Sequence, residues 1–524
     1  MAAGSQHDVV VIGAGISGLT AAALLAEAGQ RVALIERQPR AGGYLQGFSR
    51  QGFTFDTAVH WLSGLGEGGL LRRLLDHLGP GWPACRPLER AWRFRGESYD
   101  YLLTGQPDLL RDRLSADFPA EAEGVRRLFA DSRHLGEQLG AFSTRLRAAE
   151  TMGLWTKAGY GLTMLRWYWP LRRFLRSALE PGLARYFKGR ELERIFCAEE
   201  QLASVMFPLA WGYTHDYFAA PRGGSQAWVA WLLERLRARG AEVRLGQGAE
   251  RILVEGGRAA GVRLAGGEEL RARWVVAACD AESVYARLLP PEVVPARHRR
   301  KLSEAELNYS CVMLYCGLSC SPAELGLGEE MVRLTRDDLP RAAHNSGDPD
   351  TTALLVLAPS ARDPGLAPPG KSTLTIQCPA YLEQQGRWGT GPELTRGADY
   401  RACKAAFAEK LLERVERQLV PGLRERLEVL EIATPVTFWR YTGNRGGSIM
   451  GYRPTTHNIK AGLARYRTPV KGLLQAGHWA ELGGGVLMAV RAAVNASLLV
   501  LQPDHPEAYE RLRAVMDGEP PPVA

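Results

Sequence analysis

The sequence predicts an α/β protein whose nucleotide-binding domain is assembled from separated stretches of chain. Three observations predict it. Residues 8–18, Asp-Val-Val-Val-Ile-Gly-Ala-Gly-Ile-Ser-Gly, run from a β-branched apolar stretch straight into GxGxxG. A Pro-Arg-Gly-Gly-Ser-Gln turn at Pro221 opens a helix, strand, hairpin and strand that end near Ala278. A third apolar run, Leu473-Leu474-Gln475-Ala476, meets Gly477, a glycine cluster at 483–485 and a helix reaching Leu501.

The first unit is justified residue by residue. Gly13 permits the tight turn, Gly15 lets the backbone approach a pyrophosphate, and Gly18 lets helix and strand pack closely. Ile16 and Ser17 open the helix, whose N-terminus offers free N–H groups to phosphate. A second apolar run, Val32 to Ile35, closes on Glu36, roughly 20 residues on, where a carboxylate accepts from ribose hydroxyls. A signal peptide over 9–29 is excluded: no basic region precedes it and Glu27 interrupts it.

Past Glu36 come Arg37, then Gly42-Gly43-Tyr44, then Gly52-Phe53-Thr54-Phe55-Asp56-Thr57. A nicotinamide dehydrogenase needs no second glycine pair here, whereas an extended flavin nucleotide does, because Gly42 and Gly43 permit close backbone approach. This pattern resembles the FAD-binding amine oxidase and phytoene desaturase superfamily, E-(K/R)-x(4–5)-G-G followed by G-(F/Y)-x-F-D. Phe55-Asp-Thr-Ala-Val-His-Trp61 and Gly443 to Tyr452 look most like its carotenoid desaturase, carotenoid isomerase and retinol saturase branch.

The resemblance implies bound FAD in a discontinuous, glutathione reductase-type Rossmann-like domain. It implies an inserted mixed α+β substrate domain and a helical cap. The expected boundaries are 1–75, 215–292 and 456–505 for the FAD domain, 76–214 for the cap, 293–455 for the substrate domain and 506–524 for a tail. It places Tyr44 and Thr57 by the cofactor and Ala249 and Arg251 along the adenine. Gly477, His478, Gly485, Val486 and Met488 are placed at the ring end. His478 stands where most members carry Asp, and Met488 where many carry Gly. The same resemblance brings the segments of His60, Tyr441 and Glu481 near the ring, as candidate proton donors.

Composition bounds the rest. At 524 residues and 46% hydrophobic, the chain can build two or more domains. The net charge of +8 carries no nucleic-acid motif or concentrated basic tail, so no nucleic-acid partner is expected. Eight scattered cysteines without a CxxC pair give no metal site and fit a reducing cytoplasm. Residues 151–187 interleave Trp155, Trp167 and Trp169 with Lys157, Arg166, Arg172, Arg173 and Arg176. Pro170 is expected to break this stretch into two helical arms. The stretch suits either a membrane interface, making the protein peripheral on the inner face, or an interior cap helix with snorkelling arginines.

The expected activity is that of an FAD-dependent oxidoreductase on a carbon–carbon bond of an apolar polyene or isoprenoid. A redox-neutral polyene cis–trans isomerase and an amine oxidase-type enzyme on a smaller metabolite stand as alternatives. Only the GxGxxG at residues 13–18 follows an apolar strand, so no dedicated NAD(P)H domain is expected. Electrons would then pass through transient NAD(P)H, a quinone, a reductase partner or oxygen. Oligomeric state is left open.

Overall fold

The computed structural model describes residues 7–143, 147–189, 191–196, 201–336 and 338–520. One sheet orders its strands Glu242–Leu245, Val32–Glu36, His7–Ile12, Glu269–Ala277, Arg258–Leu264 and Ala249–Glu255, and Leu473–Gln475 also pairs with Glu269–Ala277. The contacts of His7–Ile12 with Val32–Glu36 and Glu269–Ala277, and of the latter with Leu473–Gln475, are parallel. Parallel strands are covered on both faces, which is why Val9, Val10 and Val11 form an unbroken apolar run and are fully buried.

The helix Ile16–Glu27 is almost entirely buried, and its Ala- and Leu-rich sequence has few groups that resist either helix or core. It ends at Gly29, whose φ of 79° is cheap only for glycine, while Ala28 N–H donates to Leu24 O (3.1 Å) and Gln30 N–H to Leu25 O (3.0 Å). The helices Gln226–Ala238 and Val486–Leu501 pack beside it.

The second sheet orders Leu427–Ala433, Ser310–Leu318, Ser372–Ala380, Leu354–Leu357, Met331–Leu334, Arg90–Arg95 and Asp100–Thr104. Every residue of Ser310–Leu318 is buried. The helix Ala398–Gln418 covers one face through Phe407, Leu411, Leu412 and Val415. On the other, Phe53 and Phe55 of the hairpin Gly47–Arg50/Phe53–Asp56 pack on Met313 and Tyr315, which couples the two domains.

Three expectations need correction. Residues 76–214 are not all helical: Arg90–Arg95 and Asp100–Thr104 form a hairpin that extends the second sheet through a parallel contact with Met331–Leu334. Their signal is a period of two, with Trp92 and Phe94 inward and Arg93 and Arg95 half-exposed between them. Glu330, its side chain fully buried, takes Arg90 Nε at 2.7 Å and so pins the hairpin. Pro170 does not break its helix, which runs unbroken from Leu154 to Leu175. This helix lies on the surface, where the carbonyl deprived of its partner by Pro170 can meet water. The tail begins later than expected: Pro506–Asp517 is a helix whose Leu512 and Met516 enter the nucleotide-binding core.

A Cβ built on Gly18 would fall 1.8 Å from Gly13 O, whereas one on Gly15 meets nothing within 4 Å. Gly18→Ala is therefore expected to destabilise the protein by about 3 kcal/mol or more. Gly15→Ala should keep the fold and weaken only nucleotide binding. Thermal unfolding of the two variants checks this, and equal midpoints would contradict the packing.

Candidate active site

A cavity of about 400 Å³ runs along the carboxyl edge of the parallel strands, where open α/β sheets bind ligands. All three predicted segments line it. Gly13, Gly15, Ile16 and Ser17 supply the turn and helix N-terminus, and Glu36 and Arg37 the end of the second strand. Gly43 and Tyr44, Ala249, and Gly477 and His478 complete the predicted contribution.

The segments are tied to one another by hydrogen bonds. Gly477 N–H donates to Ser17 Oγ (2.9 Å), joining the chain's late segment to its first helix. Gly42 N–H donates to Ala14 O (2.8 Å) and holds the second glycine pair against the first turn. Gly42 itself lies behind this contact rather than on the cavity wall, in a left-handed conformation with φ 125°. Glu36 accepts from Ala14 N–H and Gln38 N–H, both at 2.8 Å, which fixes its carboxylate at the cavity's edge.

Asp56, a residue of the FDT motif, ties the second segment in. Its Oδ1 accepts from Ser225 N–H (2.9 Å) and Ser225 Oγ–H (2.7 Å). Burial raises its carboxyl above the usual range, against the pull of these two donors. Gly224 is required beside it, because its φ is 83° and a Cβ would lie 2.9 Å from Asp56 Oδ1. Thr57 also acts from behind the wall: its hydroxyl donates to Tyr44 O at 3.1 Å.

These residues fit an elongated flavin nucleotide. The open face of Gly15 gives a phosphate room to approach, the first turn of Ile16–Glu27 supplies N–H groups, and Glu36 marks the ribose end. At the other end, His478 Nε2 is buried with no hydrogen-bond partner among the described residues, a polar atom aimed at a missing acceptor or donor. Gly18 does the packing job expected of it and does not line the cavity.

Several placements differ from expectation. Arg251 is exposed and away from the cavity, because a β-bulge between Ala249 and Arg251 turns the strand off the wall. Gly248 and Glu250 line it instead. The last helix reaches the cavity at Ala489, and Gly485, Val486 and Met488 lie off its wall. Tyr441 lines the opposite end from the one expected. Its carbonyl accepts from Arg37 Nη2 (2.9 Å) and Gln38 Nε2 (3.2 Å), and its side chain is half-exposed. Glu481 lies off the wall as well, in a buried ion pair with Arg491, and takes the Tyr466 hydroxyl proton in a hydrogen bond. Its role in this position is to hold the helix Val486–Leu501 through Arg491.

Asp280, Ser283 and Arg287 were not singled out from the sequence, yet all line the cavity. Asp280 Oδ2 accepts from Ser283 N–H (2.7 Å) and Oγ (2.9 Å), while its Oδ1 is buried with no partner among the described residues. Their signal is an Asp-x-x-Ser step directly after an apolar strand, the mark of a capped helix at the binding edge. Asn444 was likewise missed; its Nδ2 donates to Tyr44 Oη (3.1 Å) and its Oδ1 accepts from Trp479 Nε1 (3.3 Å).

His60 is held between domains, with Nε2 2.5 Å from Gln377 Oε1 and its carbonyl bonded to Arg362. Burial pushes the His60 and His478 imidazoles down to about 4, so both are neutral at pH 7. A neutral His60 whose N–H is committed to Gln377 is a positioning group, not a ready acid. The unfolded chain takes up protons near pH 6.5 that the folded chain refuses, so stability present above pH 6.5 is lost as pH falls towards 4. The melting temperature of the flavin-loaded protein is expected to fall from pH 7 to pH 5. The fall should shrink in His60→Gln and His478→Asn, and an unchanged fall in both would remove these imidazoles as its source.

Relatives along nearly the whole chain agree with this geometry. The chain is 26% identical over 556 residues to all-trans-retinol 13,14-reductase of Danio rerio, covering 98% of this chain and 89% of the relative. It is 24% identical to a 4,4'-diapophytoene desaturase of Methylomonas sp, covering 83% of each. It is also 24% identical to prolycopene isomerase 1 of an Oncidium hybrid cultivar, covering 93% and 83%. The fold matches that of putrescine oxidase bound to putrescine, with a TM-score of 0.59 at 17% identity over 95% of this chain and 99% of the other. Residues 16–316, more than half of the chain, match the family described as flavin containing amine oxidoreductase, and this protein belongs to that family as an FAD-dependent oxidoreductase.

Proposed function

We propose that the protein adds or removes hydrogen across a carbon–carbon bond of an elongated apolar polyene, of the carotenoid or retinoid kind. The observation that carries this reading is the near full-length likeness to enzymes named for retinol reduction, diapophytoene desaturation and prolycopene isomerisation. The bound flavin supplies hydride exchange at its N5. The chain's own residues bind and orient. The Gly13–Ser17 turn, Glu36 and Arg37 hold the nucleotide, and His478 and Trp479 border the end where the ring would lie. None of His60, Tyr441 and Glu481 is poised to deliver a proton: the first is neutral with its N–H on Gln377, the Tyr441 side chain is half-exposed at the opposite end of the cavity, and Glu481 is held by Arg491 and Tyr466. A polyene spreads developing charge over many carbons, which lowers the demand for a strong acid.

The second reading is a redox-neutral isomerase of the same substrate class, favoured by the likeness to prolycopene isomerase. An amine oxidase-type enzyme on a smaller metabolite is the third, supported by the family match and the fold but by none of the near full-length relatives above. NAD(P)H or a quinone is the proposed electron partner, binding transiently, because the only other G-x-G-x-x-G spacing, at residues 64–69, follows no strand directly and opens no second βαβ unit.

We further propose that the helix Leu154–Leu175 rests on the cytoplasmic face of an anionic membrane. Leu154, Leu162, Leu165 and Trp169 recur at helical spacing and are 56–77% exposed, and Trp155 is 87% exposed. Lys157, Arg166, Arg172 and Arg173 flank them with no acidic residue in the helix. No described helix is long and apolar enough to cross a membrane. Such a seat would bring an apolar substrate out of the bilayer.

Two measurements test these readings. The anaerobically reduced holoenzyme is mixed with polyenes and the products are weighed: a change of two hydrogens is expected, no change of mass with altered geometry selects the isomerase, and conversion of amines alone ends the polyene reading. Co-sedimentation with vesicles containing phosphatidylglycerol is expected for the wild type. It should weaken at least fivefold for Trp155→Ser/Leu162→Ser, and equal sedimentation of both proteins would end the membrane reading.

A further inference from the structure

The exposed face of the helix Leu154–Leu175 changes character at its end. Leu162, Leu165 and Trp169 are exposed at helical spacing, and the next i+3 and i+4 steps on that face reach Arg172, Arg173 and Arg176. These three arginines and Arg185, from just beyond the short helix Leu179–Leu183, line one open pocket together with Trp169. None of the described residues lining it is acidic.

Two contacts gather the guanidinium groups. Arg185 Nη1 donates to Arg173 O at 2.9 Å, which folds the later segment back onto the last helical turn. Arg172 donates to Trp169 O and stacks on the Trp169 ring, its Cζ 3.7 Å from the centroid.

Capping of the helix end uses one donor each of Arg172 and Arg185. It leaves the rest of the charge unexplained. Arg173 has Asp131 at 3.5 Å, and that carboxylate already takes the Tyr186 hydroxyl at 2.6 Å. Glu180 is the one acidic residue between Leu154 and Arg185, and it pairs with Arg341. The Arg176 guanidinium has no hydrogen bond or ion pair among the described residues. Four cations therefore share one corner with a single carboxylate. They repel one another, and each keeps N–H donors to spare. A small oxyanion of high charge is their complement.

We propose that this pocket binds the phosphate monoester headgroup of an anionic lipid, of the phosphatidic acid kind. The inference rests on the membrane reading of this helix and narrows it from surface charge to one headgroup. A monoester brings nearly two negative charges and three free oxygens, more than the diester of other lipids can offer several guanidinium groups. Trp169 belongs to both the apolar face and the pocket. It sets the arginines at the depth where the apolar part of a bilayer meets its phosphates.

The test compares phosphatidylcholine vesicles carrying phosphatidic acid with vesicles carrying phosphatidylglycerol, brought to equal surface charge. The salt is about 0.15 M, where exposed charges more than about 8 Å apart are largely screened. The flavin-loaded protein is expected to reach half-binding at about tenfold lower lipid concentration on phosphatidic acid, a ratio that one charge-assisted hydrogen bond supplies. Arg176→Gln/Arg185→Gln is expected to abolish that preference while keeping its flavin absorbance and measurable binding to phosphatidylglycerol. Equal binding of the wild type to both vesicles overturns the headgroup pocket and leaves the membrane reading standing. So does a preference that survives in the flavin-loaded double variant. Binding to neither vesicle overturns the membrane reading and the pocket with it. Glycerol 3-phosphate, at the same headgroup concentration without vesicles, is expected to leave the melting temperature unchanged. A rise that needs Arg176 and Arg185 would make this a site for a soluble phosphate and overturn the lipid assignment.

Discussion

The hydrogen bond from Gly477 N–H to Ser17 Oγ is the junction on which the site depends. It joins residues 460 positions apart, at the point where a parallel sheet ends and a helix begins. The sheet makes the junction possible: Glu269–Ala277 pairs with His7–Ile12 along one edge and with Leu473–Gln475 along another. Removing that register would separate the first glycine turn from the last, and no continuous cleft would remain between Glu36 and His478. The Asp56–Ser225 pair does the same for the middle segment. Burial makes both ties count, since a backbone N–H left unpaired in the interior costs about 1–3 kcal/mol.

The nucleotide-binding half was legible in the sequence because local rules govern it. GxGxxG, the strand before it, the acidic end of the next strand and the positive-φ glycines are each dictated by backbone geometry within a few residues. The polyene branch rested on resemblance rather than on any chemical group. What could not be read was set by distant contacts. Arg251 lies only two residues after Ala249 within the expected segment, yet a single bulge carries it off the wall. Tyr441 sits where Arg37 and Gln38 pull its carbonyl, an arrangement that no local pattern encodes. Asp280 carries a local capping signal, an Asp-x-x-Ser step, but its place on the cavity wall is set by the sheet register rather than by any glycine pattern beside it.

The second sheet shows the same division. The continuous apolar run Cys311-Val-Met-Leu-Tyr-Cys316 is the pattern of a strand buried on both faces, and Ser310–Leu318 is one. The hairpin Arg90–Thr104 was hidden by its arginines, whose stems cover apolar surface while the heads of Arg93 and Arg90 bond Asp100 and Glu330 and the Arg90 backbone N–H donates to Glu329. The helix Leu154–Leu175 was ambiguous between an inner and an outer seat because aromatic and cationic residues serve both. Only the exposure of Trp155 and its neighbours distinguishes the two.

The interruption of the first domain by the second has a bearing on biosynthesis. The central strand of the parallel sheet is made before the inserted domain, but the strand Leu473–Gln475 and the helix that follows are made after it. Until then the amino-terminal turn lacks its third wall, and an apolar strand edge stays open through most of translation. Such long-range closure is slow and leaves the nascent chain prone to association. The nucleotide cleft is therefore closed only after the whole inserted domain has been made.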